Sequence, residues 1–153
     1  MSRRGLEPLH ALEIPTGAVT LLVPSACIAE VINVSGDMAP LPGASDWVSG
    51  VIGWRSRPVP VISFERLLNK PRIAPTVRSK LIVFYPLPGC RPWEFFAILS
   101  TGEPQPRTMD AADTPTDAPG LPDSRFIAMG LKLDRSVLAI PNFEALRAEL
   151  YPA

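Results

Sequence analysis

The chain has 153 residues, 46% of them hydrophobic and 20% charged. Fifteen Lys and Arg balance fifteen Asp and Glu, so the formal net charge is zero. That counts against a nucleic-acid binder, a class that carries a basic excess to pair with phosphates, while two cysteines and one histidine exclude a disulfide scaffold and a clustered Cys/His zinc centre.

The length fits one domain, residues 1–153, or two small lobes joined within it. Nineteen prolines are far above average usage. Many punctuate apolar runs, at Pro15, Pro24, Pro40, Pro42, Pro58, Pro60, Pro86 and Pro141. Proline fixes φ and interrupts helices, so this pattern predicts short extended segments with stiff corners. Met1 to Pro8 contains Arg3 and Arg4 but no apolar run behind them, so no secretory leader is expected. No stretch of 18 apolar residues predicts a membrane span. Cys27 and Cys90 lie far apart without CxxC spacing and are expected to be reduced thiols in a cytoplasmic protein.

In chain order, Leu9–Ile14 and Ala18–Val23 read as a strand pair. Pro15-Thr16-Gly17 reads as their turn, with Gly17 free to take a positive φ. Ser25–Val34 suits either a short helical turn or a strand. Gly36–Ser45 is a loop. Val51–Trp54 and Val59–Ile62 form a hairpin around Arg55-Ser56-Arg57, with Val51, Val59 and Val61 expected in the barrel. Pro58 and Pro60 place it at an edge on at least one side. Ser63–Leu68 predicts a short helix capped by Ser63. Lys80–Tyr85 pairs with Trp93–Leu99 across a turn at Pro86–Pro92. Residues 101–123 are rich in Pro, Asp and Thr and predict a mobile polar loop. Phe126–Leu133 and Val137–Ile140 form a last hairpin through Asp134-Arg135-Ser136. Asn142–Leu150 is an amphipathic helix, with Phe143, Leu146 and Leu150 at helical spacing. The block Gly50–Leu68 is echoed by Phe126–Leu150. Strands every 8 to 12 residues or so predict an all-β barrel or sandwich with short helices.

Catalytic chemistry finds little support. His10, the only histidine, has no nucleophile at a telling spacing. The phosphate-cradling GxxxxGK[ST] and GxGxxG motifs are absent. Asp110, Asp113, Asp117 and Asp123 read as solvated charge. Trp47, Trp54, Phe64, Trp93, Phe95 and Phe96 mostly sit in apolar runs and read as core, with Trp54 left open because it directly precedes the hairpin tip. No enzyme, metal or cofactor is expected. An alternative is a small barrel that stacks single-stranded nucleic acid on its aromatics.

The block Pro40–Phe64, PLPGASDWVSGVIGWRSRPVPVISF, resembles the core motif of the CheW-like family. That motif is a proline loop followed by Gly-Val, Arg-Gly and Pro-Val-x-Asp-Leu, and Gly50, Val51, Arg55, Pro60 and Val61 match it. Ile28-Ala29-Glu30-Val31-Ile32 is similar to the family's apolar-Glu-apolar segment. Ser56, Ser63 and Asn142 depart from the usual Gly, Asp and Asp. The resemblance implies two intertwined five-stranded SH3-like β-barrels. It also implies a non-catalytic adaptor that couples a chemoreceptor's cytoplasmic helical hairpin to the regulatory domain of a CheA-type histidine kinase. The expected location is cytoplasmic, at membrane-associated receptor arrays. By motif position the receptor-side residues are Ile28, Glu30, Gly50 and Arg55. The departures point to a divergent paralogue, such as a coupling protein of a type IV pilus chemosensory system, or to a partial coupler lacking one partner contact.

Overall fold

The computed structural model describes residues 8–34, 38–110, 116–118 and 120–152. The expectations placed on Met1–Glu7, Gly36, Asp37 and Asp113 lie outside the described residues. The strands are β1 (Leu9–Pro15), β2 (Thr20–Pro24), β3 (Ile28–Asn33), β4 (Val48–Trp54), β5 (Arg57–Ile62), β6 (Lys80–Phe84), β7 (Phe96–Ser100), β8 (Gln105–Met109), β9 (Thr116–Asp117), β10 (Ile127–Leu133) and β11 (Ser136–Pro141). The helices are α1 (Phe64–Leu67) and α2 (Phe143–Leu150). A 3-10 turn over Ser25–Cys27 precedes β3, so Ser25–Val34 is a helical turn and then a strand.

Two sheets form, ordered β8-β1-β2-β11-β10-β9 and β3-β6-β7-β5-β4. The expected five strands hold for the second sheet, and the two-residue β9 adds a sixth to the first. Each half of the chain serves both sheets. The first half places β1–β2 in one sheet and β3–β5 in the other; the second half places β6–β7 beside β3–β5 and returns β8–β11 to β1–β2. The halves are therefore intertwined rather than laid side by side.

Three cores follow from strand alternation. On β6 and β7, Leu81, Val83, Ala97 and Leu99 face Ile52, Trp54, Val59 and Val61. The alternate residues Ile82, Phe84, Phe96 and Ile98 meet Ile14, Leu21, Val23, Phe64 and Leu146 between the sheets. Ala11, Leu22, Leu131, Leu133 and Leu138 fill the first sheet's own interior. Being covered on both faces, β6 and β7 read as continuous apolar runs rather than alternating ones.

The echo between Gly50–Leu68 and Phe126–Leu150 is a structural equivalence. β4 and β10 have seven residues each, and β5 and β11 six. Both hairpins shift register near the start, between Val48 and Gly50 and between Ile127 and Met129. The N–H of Ser63 donates to Trp47 O and that of Asn142 to Phe126 O, both at 2.8 Å. Ser63 caps α1 by accepting from Arg66 N, and Asn142 caps α2 by accepting from Ala145 N. Serine and asparagine thus supply the oxygen that Asp would. β5 runs parallel to β7, and β11 parallel to β2.

The prolines of β5 fit an interior strand because β7 joins it only from Val61 onward. Trp54 and Arg57 close the two-residue turn, so alternation leaves Pro58 and Pro60 opposite Gly53 and Val51 at non-hydrogen-bonded positions.

Two expectations are corrected. Within 101–123, Gln105–Met109 is a strand, β8, paired with β1 from Leu9 to Glu13. Its side chains are mostly exposed, so no apolar alternation marks it. Gly17 does not take a positive φ. An added Cβ would stand 2.4 Å from the Ile73 side chain, which would have to move, and the Gly17 N–H donates to the buried Glu65 carboxylate at 2.6 Å.

Candidate partner-binding site

The four expected site residues separate into a joined pair and two supports. Ile28 opens β3 opposite Phe84, half-buried against the core between the sheets. Gly50 is buried in β4. An added Cβ would lie 2.6 Å from Met38 Cγ and 2.7 Å from Ala39 O. Ala39 and Val51 exchange two 2.8 Å backbone bonds there, so the missing side chain lets the 38–39 segment lie on β4.

Glu30 and Arg55 do meet. Arg55 Nη2 stands 3.5 Å from Glu30 Oε1, with the side chains 62% and 43% exposed. The same oxygen accepts from Trp54 Nε1 at 2.9 Å. The Arg55 guanidinium lies over the Trp54 ring, 4.5 Å from its centroid. Glu30 is on β3 and Trp54 ends β4, the two edges of the second sheet. This constellation therefore closes that sheet through side chains. Arg55 and Ser56 have φ of 49° and 63°, the left-handed pair that a two-residue hairpin turn demands.

Aromatic residues extend the site beyond its sequence-predicted members. Trp54 packs on Phe95 at 5.0 Å, Phe95 on Tyr85 at 5.9 Å, and Arg57 lies 5.7 Å from the Phe95 centroid. Tyr85 is well exposed. Trp, Tyr and Arg are the residues enriched at protein-binding hot spots. One signal for Trp54 was available in sequence: a buried indole N–H needs an acceptor. Of the aromatics expected in the core, Phe64 and Phe96 are buried, whereas Trp93 is 58% exposed; Trp54, which the sequence left open, is buried.

The remaining chemistry is quiet. His10 is exposed on β1, 3.4 Å from the Thr108 hydroxyl. Burial pushes the Cys27 and Cys90 thiols above the ordinary thiol value, so neither is primed as a thiolate. Among the described residues no group of three or more His, Cys, Asp and Glu is placed to hold a metal, and no helix is long and apolar enough to cross a membrane.

The CheW-like domain family matches residues 10–85, the span from β1 to the end of β6. The fold is similar to the crystal structure of the scaffolding protein TtCheW from Thermoanaerobacter tengcongensis. That match has a TM-score of 0.71 at 15% identity and covers 93% of this chain and 89% of that one. No curated protein matches in sequence. The two sheets are accordingly the two SH3-like barrels of the CheW fold, and residues 10–85 carry a CheW-like domain.

Proposed function

We propose that the chain is a non-catalytic adaptor in chemosensory signalling. It couples the cytoplasmic helical hairpin of a chemoreceptor to the regulatory domain of a CheA-type histidine kinase, in the cytoplasm at membrane-associated receptor arrays. The observation that carries this reading is the state of Arg55. An arginine occupies a left-handed turn position, φ 49°, where Asn or Gly is the usual choice. It is held on an indole with its guanidinium exposed. A strained position kept for a charged, outward residue points to a contact, and a guanidinium can fork onto a helix carboxylate.

Arg55 is the receptor contact in this reading, with Glu30 beside it. Ile28 and Gly50 act as supports, Gly50 by seating Met38 and Ala39. The departures at Ser63 and Asn142 preserve capping and say nothing of partners. Ser56 remains the departure that favours a divergent coupler, with type IV pilus motility as its output.

The test uses the purified chain with a receptor hairpin fragment and a kinase regulatory domain, titrated separately. Saturable binding to both is expected. Arg55→Glu should lower receptor affinity roughly tenfold or more while kinase binding and the melting temperature stay as in the wild type. A folded Arg55→Glu chain that binds receptor normally sinks the site assignment. A wild-type chain that binds only one fragment is a partial coupler.

A further inference from the structure

Trp54 is only 6% exposed and offers almost no surface to a partner. Yet it touches three members of the site: its N–H donates to Glu30, its face carries the Arg55 guanidinium, and Phe95 packs against it. The Glu30 oxygen that faces Arg55 is the one already accepting the indole N–H. At 3.5 Å and with both groups exposed, the ion pair itself is weak. The indole bond, 2.9 Å long and made by a donor on a 6% exposed ring, is the stronger tie, because a buried N–H left without an acceptor is costly.

We propose that Glu30 is a positioning residue. It locks the Trp54 indole across the seam between β3 and β4, and the locked ring aims Arg55 outward. This rests on the reading of Arg55 as a partner contact and changes the part Glu30 plays in it: its carboxylate is spent on the chain's own tryptophan, and the partner meets the guanidinium. The relevant property of Glu30 is an acceptor oxygen, not a negative charge. Glutamine can supply that oxygen; alanine cannot.

The full-length chain labelled with 15N gives one indole N–H resonance for each of Trp47, Trp54 and Trp93, and loss of one peak in Trp54→Phe assigns Trp54. Glu30→Ala should move the Trp54 resonance and leave the other two in place, while Glu30→Gln should keep it near its wild-type position. Against the receptor hairpin fragment, Glu30→Ala and Trp54→Phe should each weaken binding roughly tenfold, and the double variant no further, because one interaction is removed twice. Glu30→Gln should stay within about twofold of wild type. An unmoved Trp54 resonance in Glu30→Ala overturns the lock whatever the chain binds. Equal loss of affinity in Glu30→Gln and Glu30→Ala also overturns it, since charge would then be what matters. If the resonance moves as expected but the wild-type chain binds no receptor fragment, the lock stands and the coupling reading fails.

Discussion

The two hairpin–helix modules, β4–β5–α1 and β10–β11–α2, are built alike and closed with opposite charges. At the first, the edge strand supplies the acid and the tip supplies the base: Glu30 of β3 faces Arg55. At the second, the edge strand supplies the base and the tip supplies the acid: Arg107 of β8 stands 3.4 Å from Asp134. The surroundings differ more than the sign. Arg107 also pairs with Glu13 of β1, the two side chains 20% and 16% exposed, and reaches Ser136. Arg55 has an indole beneath it and solvent above. One seam is turned inward as structure, and the other leaves its cation outside. Equivalent backbone frames therefore do not imply equivalent duties.

The largest test of this equivalence lies in the helices. Phe64 and Phe143 follow the two capping residues, but Phe64 is fully buried and Phe143 only half so. Phe64→Ala should cost about 4 kcal/mol and Phe143→Ala about 2 kcal/mol, read from urea unfolding midpoints. Equal costs would mean the modules are energetically symmetric. The seams come next. Arg107→Ala strands a largely buried Glu13 and should cost about 2 kcal/mol, whereas Arg55→Ala should change stability by less than about 0.5 kcal/mol. A destabilised Arg55→Ala chain would break the contrast between a structural and an exposed seam. The caps should differ: Asn142→Ala should cost about 1 kcal/mol, and Ser63→Ala more, because the Ser63 hydroxyl also donates to the buried Glu65 carboxylate at 3.1 Å, while Ser63→Asp should destabilise by setting a second carboxylate against it.

The smallest effect is pH-dependent and belongs to the first module alone. Asp46 accepts from the Arg66 side chain on α1, and that bond, with the nearby Arg66 and Arg72 charges, holds its carboxyl below the usual value. The resulting stabilisation is present above the ordinary Asp range and is lost as pH falls below about 4, through the lowered folded value. Asp46→Asn should flatten the acid limb of the melting curve slightly. An unchanged limb would show that the tie is screened away.

Much of the frame was legible because alternation and turn chemistry are local. The hairpin around Arg55, the strand pair β6–β7 and the helix after Asn142 all announce themselves within a few residues. β8 was not legible, since Gln105, Pro106, Arg107 and Thr108 become a strand only by pairing with β1, far back in the chain. The roles of Gly17 and Gly50 depend on Ile73 and on Met38 with Ala39, neighbours that no spacing rule connects to them. At the site, the motif located Glu30 and Arg55, but the indole between them is a product of sheet closure. Trp54 precedes Arg55 in sequence, yet the Glu30 it binds lies on the opposite sheet edge.

The exchange of hairpins between the halves constrains how the protein is made. During synthesis the strand pairing of β3–β7 is complete once β7 is out, although the sheet's inner face still waits for later residues such as Phe126 and Leu146. The β1–β2 hairpin is made before that sheet but finds its neighbours β8 and β11 only after it. Until then Ile14, Leu21 and Val23, all fully covered in the finished molecule, lack much of their cover. A hairpin made before all its sheet neighbours is thus the last to be secured, an interval in which chaperone binding or misassociation competes with closure.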